Sequence, residues 1–72
     1  MITENHIRGA LMLMRTFAET LPEGMAETLE ELDLEFHSAK STGRRISVSG
    51  FAAAIRELCD NYGMSAPLPK ED

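Results

Sequence analysis

The reactive side chains in this chain are few: one thiol, two imidazoles and twelve carboxylates. Asp33 and His37 stand four residues apart, and Glu30 lies three before Asp33. On a helix such offsets return to the same side, so the three project together. A carboxylate and an imidazole at i, i+4 could chelate a divalent cation, but a complete site needs further ligands and groups that orient them. No HExxH, paired ExxH or Cys/His cluster is present. The pair is therefore expected to be a surface contact, with no metal and no cofactor. Cys59 has no His at a motif spacing and sits in an Ala-rich stretch, so it reads as a small apolar filler. His6 falls at the edge of an apolar sector and is expected to pack there. Gly43 and Gly50 are isolated rather than part of a phosphate-binding loop, and no Ser/His/Asp set has a recognisable spacing. The expected class is non-enzymatic. A domain of three short helices rarely encloses a substrate-sized pocket.

Charge is more informative than reactivity. Positions 19–35 hold seven acids (Glu19, Glu23, Glu27, Glu30, Glu31, Asp33 and Glu35) and no base, a charge of −7. Positions 38–56 hold Lys40, Arg44, Arg45 and Arg56 and no acid, a charge of +4. An acidic rod thus precedes a basic loop. The rod can serve solvation alone, and its acids near a helix start suit the helix dipole. It can also steer a basic partner into contact. The basic loop can satisfy the carbonyls that end the preceding helix, or hold an anion beside the free amides of the next one.

The net charge is −5 over 72 residues, with 43% hydrophobic and 26% charged residues, the balance of a globular domain rather than a disordered tail. The acidic balance argues against a generic DNA binder, which carries excess positive charge. A chain this short buries only about 60% of its unfolded surface, so its core is marginal without a supplement. One cysteine gives no internal staple, which favours a reducing compartment, most simply the cytoplasm. The richest apolar run, positions 9–14, is closed by Arg15 and is too short to cross a bilayer, so no membrane association is expected.

Three helices are needed to place these groups. The first is predicted over residues 4–20, with Thr3 as its N-cap. Ile7, Leu11, Met14, Ala18 and Leu21 form its stripe, and Ala10, Leu13 and Phe17 widen it to roughly 160°. So broad a stripe touches more than one neighbour, or serves a dimer. Leu21-Pro22-Glu23-Gly24 predicts a tight corner, with one long kinked helix over residues 4–40 as the alternative. The second helix is predicted over residues 23–40, with the narrow seam Met25, Leu29, Leu32, Phe36 and Ala39. Gly43 ends it, and Ile46-Ser47-Val48 reads as extended loop. Ser49 is the expected cap of a third helix over residues 50–61, with Phe51, Ala54, Ile55, Leu58 and Tyr62 inward and Gly63 as its stop. The expected architecture is all-α: a three-helix domain over residues 1–63, built as an antiparallel helical hairpin with a third helix packed across it. Residues 64–72 are expected to be an extended or flexible tail.

The function expected on this basis is a small adaptor, inhibitor or regulatory subunit that binds a protein partner, plausibly a basic one. Glu23, Glu27, Glu30, Glu31 and Glu35 would provide the charge, and Met12 and Leu34, apolar residues off their stripes, the anchors. Small residues off the third stripe (Ala52, Ala53 and Cys59) and the broad first stripe point to a homodimer. The alternative is a dimeric nucleic-acid-associated regulator using Lys40, Arg44, Arg45 and Arg56. Against it, the first turns of the third helix, Phe51-Ala52-Ala53-Ala54, offer no donors to base edges.

Overall fold

The computed structural model describes residues 1–69, which form three α-helices on short connections. α1 spans Glu4–Thr16, a 3₁₀ turn spans Ala18–Thr20, α2 spans Glu23–Ser41 and α3 spans Val48–Asn61. The domain is all-α, and each helix packs against the other two.

α1 starts from an extended Thr3, the expected N-cap, and His6 closes a capping box with it. The Thr3 amide donates to Nδ1 of His6 at 2.9 Å, and the Thr3 hydroxyl lies 3.2 Å from the same nitrogen. His6 is thus an exposed capping residue rather than a packing one. α1 also stops at Thr16, four residues before the periodicity suggests. The Thr16 hydroxyl donates to the Met12 carbonyl at 2.8 Å and the Thr20 hydroxyl to the Phe17 carbonyl at 2.7 Å. Such side-chain bonds compete with the helical ladder. Leu21 and Pro22 then take extended conformations (ψ of 151° and 145°), so the chain turns a tight corner and no long kinked helix forms.

Charged contacts show the hairpin to be antiparallel. Lys40, at the end of α2, pairs with Glu4 at the start of α1, and Arg15, at the end of α1, pairs with Asp33 in the middle of α2. α3 runs back along α2: Phe51 near its start meets Phe36 edge-on at 5.5 Å, and Tyr62 at its end covers Gly24. A Cβ on Gly24 would stand 2.8 Å from the Tyr62 hydroxyl, so a larger residue there would push the ring tip aside. The shared core is Ile7, Ala10, Leu11 and Met14 from α1, Met25, Leu29 and Phe36 from α2, and Ala52, Ile55, Leu58 and Cys59 from α3.

Three inward positions differ from the stripes. In α2 the buried register is Met25, Leu29, Asp33, Phe36 and Ala39, and Leu32 is only partly buried. In α3 the buried face is turned toward Ala52 and Cys59, while Tyr62 is exposed. The small side chains at 52 and 59 thus lie inside the bundle, where they let helices approach closely, and are not available to a second copy. α3 also begins earlier, because the cap is Ser47: its Oγ accepts from the Gly50 amide at 3.2 Å. That brings Val48 into the first helical turn and draws it partly against the core.

α2 closes at Gly43, whose φ of +70° lets the Arg44 amide reach the Ala39 carbonyl at 2.9 Å. After α3, residues 64–69 carry no regular structure, yet Ala66 and Leu68 rest against the core. Nη2 of Arg56 donates to the Pro69 carbonyl at 2.9 Å and ties this segment to α3. Positions 70–72 of the expected tail lie outside the described residues.

Candidate functional site

The outer face of α2 is where the charge map and the fold coincide. With Met25, Leu29, Asp33, Phe36 and Ala39 turned inward, the 100° helical step turns Glu23, Glu27, Glu30, Glu31, Leu34 and Glu35 outward. All six are exposed. Leu34 stands at the centre of that arc, with Glu30 and Glu31 one turn before it and Glu27 two turns before it. At 63% exposure it is an open leucine with carboxylates one turn before it and His37 and Ser38 one turn after.

Glu23, Glu27, Glu31 and Glu35 form one i, i+4 series, and Glu27 and Glu30 add an i, i+3 pair. Each like-charged neighbour of this kind disfavours a helix by a few tenths of a kcal/mol, so the series costs about 1 kcal/mol. A face built only for solubility would intersperse Lys or Arg, which turns the same spacing into a stabilising one. Among the described residues, the ion pairs are Arg15–Asp33, His37–Asp33 and Lys40–Glu4, and none uses the five glutamates. The glutamate series drifts around the helix and reaches the groove between α2 and α3. There Glu35 borders a depression of about 280 Å³ with Leu32, Gly50, Phe51 and Ala54.

Met12 lies at another edge of this surface. It is 64% exposed and borders a shallow depression of about 370 Å³ with Arg15, Thr16, Asp33 and His37. Met12 and His37 therefore line one groove between α1 and α2, and Leu34 lies one further step around α2.

Asp33 is a residue that sequence reasoning assigned to the outside. It is 4% exposed, the buried acid of the described residues. Its Oδ2 accepts a charge-assisted hydrogen bond from Nη1 of Arg15, and its Oδ1 lies 3.3 Å from Nε2 of His37. Both carboxylate oxygens are thus engaged, one by a guanidinium from α1 and one by the imidazole four residues on. The expected Asp33–His37 contact is present, but as part of a clasp between two helices. No third metal-ligating side chain joins it among the described residues. A signal for burial was available, since Asp33 stands four after Leu29 and three before Phe36, in core register.

The basic candidates are spread over different partners. Lys40 pairs with Glu4. Arg44 donates through Nε to Thr42 Oγ1 at 3.2 Å and through Nη2 to Ser38 Oγ at 3.5 Å, bracing the end of α2. Arg56 reaches the segment after α3. Arg45 is exposed in the loop between α2 and α3. Cys59 is buried at 1% exposure, and burial, then the nearby Asp60 carboxylate, pushes its thiol above the usual range. A protonated, enclosed thiol is a poor nucleophile, consistent with a packing role. No helix among the described residues is long and apolar enough to cross a membrane. Compared with known proteins, the chain matches no family model, no curated relative and no solved structure.

Proposed function

We propose that this chain is a small non-enzymatic binding protein, an adaptor, inhibitor or regulatory subunit, that docks a basic protein partner on the outer face of α2. The observation that carries this reading is the like-charged series Glu23, Glu27, Glu31 and Glu35, exposed, without ion pairs among the described residues, and wrapped with Glu30 around the exposed Leu34. The series destabilises the isolated helix, and a partner's lysines and arginines would relieve that repulsion on contact. Complementary charge accelerates encounter and fixes orientation, while Leu34 and Met12 supply apolar contact area. A reducing compartment such as the cytoplasm suits the buried free thiol, and a homodimer suits the small core.

The test is capture of partners from native host lysate, with and without nuclease, by the wild-type chain and by Glu27→Lys/Glu30→Lys/Glu31→Lys. The triple variant should keep its helical circular dichroism and lose its protein partner. Capture that survives the reversal removes the reading. Capture that nuclease abolishes transfers binding to the basic residues Lys40, Arg44, Arg45 and Arg56.

A further inference from the structure

The seam between α2 and α3 is left open on its outer side. Leu32, Phe51 and Ala54 belong to the apolar stripes of their helices, yet all three are only partly buried. The depression of about 280 Å³ beside Glu35 and a second one of about 510 Å³ share Leu32 and Ala54 in their walls. They therefore join into one groove along the seam. It runs from Ser47 and Gly50 at one end to Asn61 and Tyr62 at the other. From Gly50 to Asn61 that is about 16 Å along α3, or three helical turns. No residue of α1 lines it.

Its lining is apolar below and acidic at the sides. Leu32, Phe51, Ala54 and Leu58 supply the apolar surface. The charged members are Glu35 from α2 and Glu57 from α3, one on each wall, and both are exposed. Glu31 stands one turn before Glu35 on the same flank of α2. The ion pairs among the described residues use none of these three. No basic side chain among the described residues lines the groove. Arg56 reaches instead to the Pro69 carbonyl, Arg44 braces the end of α2, and Arg45 lies in the loop beyond the Ser47 end. An apolar floor between acidic walls is complementary to an apolar stripe flanked by cations.

We infer that the α2–α3 groove seats one basic amphipathic helix of the protein partner, its apolar stripe on Leu32 and Ala54 and its lysines or arginines against Glu31, Glu35 and Glu57. The inference rests on the proposed basic partner and deepens it, because it names the element that docks and the place where its apolar side goes. A helix suits the shape: two packed helices leave a furrow into which the side-chain ridge of a third fits. Anchors at i, i+3, i+4 and i+7 of such a helix span the length of this groove. Gly50 and Ala54 on the α3 wall are small and admit a close approach. An extended peptide has no sheet edge to join, since the described residues contain no strand.

The test is a nitrogen-15 amide NMR titration of the full chain with a Leu/Lys peptide of about 18 residues, leucines at helical spacing, up to about 1 mM. A scrambled peptide of the same composition is the control. Amide shifts should cluster at Thr28, Leu32, Glu35, Gly50, Ala54 and Glu57, and the scrambled peptide should bind at least about tenfold more weakly. Ala54→Glu separates seating from charge, because it adds a carboxylate to the groove and removes none. Seating in the groove predicts that this variant binds at least about tenfold more weakly, whereas attraction by charge alone predicts binding as tight or tighter. Shifts confined to Glu23, Glu27, Glu30 and Leu34 overturn the groove and leave the outer face of α2 as the docking surface. Equal binding of the scrambled peptide, or undiminished binding by a folded Ala54→Glu, also overturns the groove. So does an absence of shifts with either peptide, and partner capture from lysate then decides the docking reading separately. The shift map of the wild type needs no variant, so it decides even where Ala54→Glu fails to fold.

Discussion

At the scale of single residues, the Arg15–Asp33 contact governs the hairpin. A buried carboxylate is tolerated only when paired, and loss of one partner leaves an uncompensated charge in the seam. Arg15 is half-exposed (52%), so solvent moderates the loss. Arg15→Met should destabilise the fold by about 2 kcal/mol, below the roughly 3–5 kcal/mol of a fully enclosed pair. Asp33→Leu added to it should recover most of that, because an apolar pair of similar volume replaces a buried ion pair at little cost. Urea unfolding of the two single variants and the double variant measures the coupling. An Arg15→Met protein as stable as wild type would show that His37 or solvent suffices for Asp33.

At the scale of elements, the boundaries were decided by hydroxyl groups at helix ends. α3 begins two residues earlier than its periodicity suggests because Ser47, not Ser49, accepts from a first-turn amide. Removing an N-cap hydroxyl costs about 1 kcal/mol. Ser47→Ala should therefore lower the melting temperature by about 4–8 °C, the usual shift for 1 kcal/mol in a domain of this size, while Ser49→Ala changes it little. Equal effects would return the cap to Ser49. The spacing of apolar residues located all three helices and the corner at Pro22, because stripe and breaker act through local geometry. It missed the 3₁₀ turn after α1 and the inward rotation of α3, which places Ala52 and Cys59 in the core.

At the scale of the whole molecule, charge is distributed unevenly rather than balanced. The clasping pairs Arg15–Asp33 and Lys40–Glu4 use basic groups to join α1 to α2, leaving the α2 acids facing outward on their own. Salt screens exposed repulsion within about 10 Å at 0.1 M and shields the buried Asp33 pair much less. Raising sodium chloride from low ionic strength to about 0.5 M should therefore raise the melting temperature by about 2–5 °C, a fraction of the roughly 1 kcal/mol of like-charge repulsion. A fall would mean that attraction between exposed opposite charges, Lys40 with Glu4 first among them, outweighs the repulsion along α2. The acidic outer face of α2 and the exposed Leu13 and Phe17 at the end of α1 are separate surfaces of one small domain.

By itself the sequence determined the all-α class, the three helices, the hairpin corner, and the placement of five glutamates and Leu34 on one outer arc. These depend on periodicity and on residues three or four apart, which any helix brings together. Tertiary structure decided which arm of each stripe was used. It placed Asp33 in the seam, because Arg15 arrives from eighteen residues away to neutralise it. It took Ala52 and Cys59 into the core and left Leu13 and Phe17 uncovered, because a bundle of three helices can enclose only part of a stripe as wide as that of α1. Which side of a wide stripe meets a neighbour depends on where the other helices sit, and no local spacing encodes that.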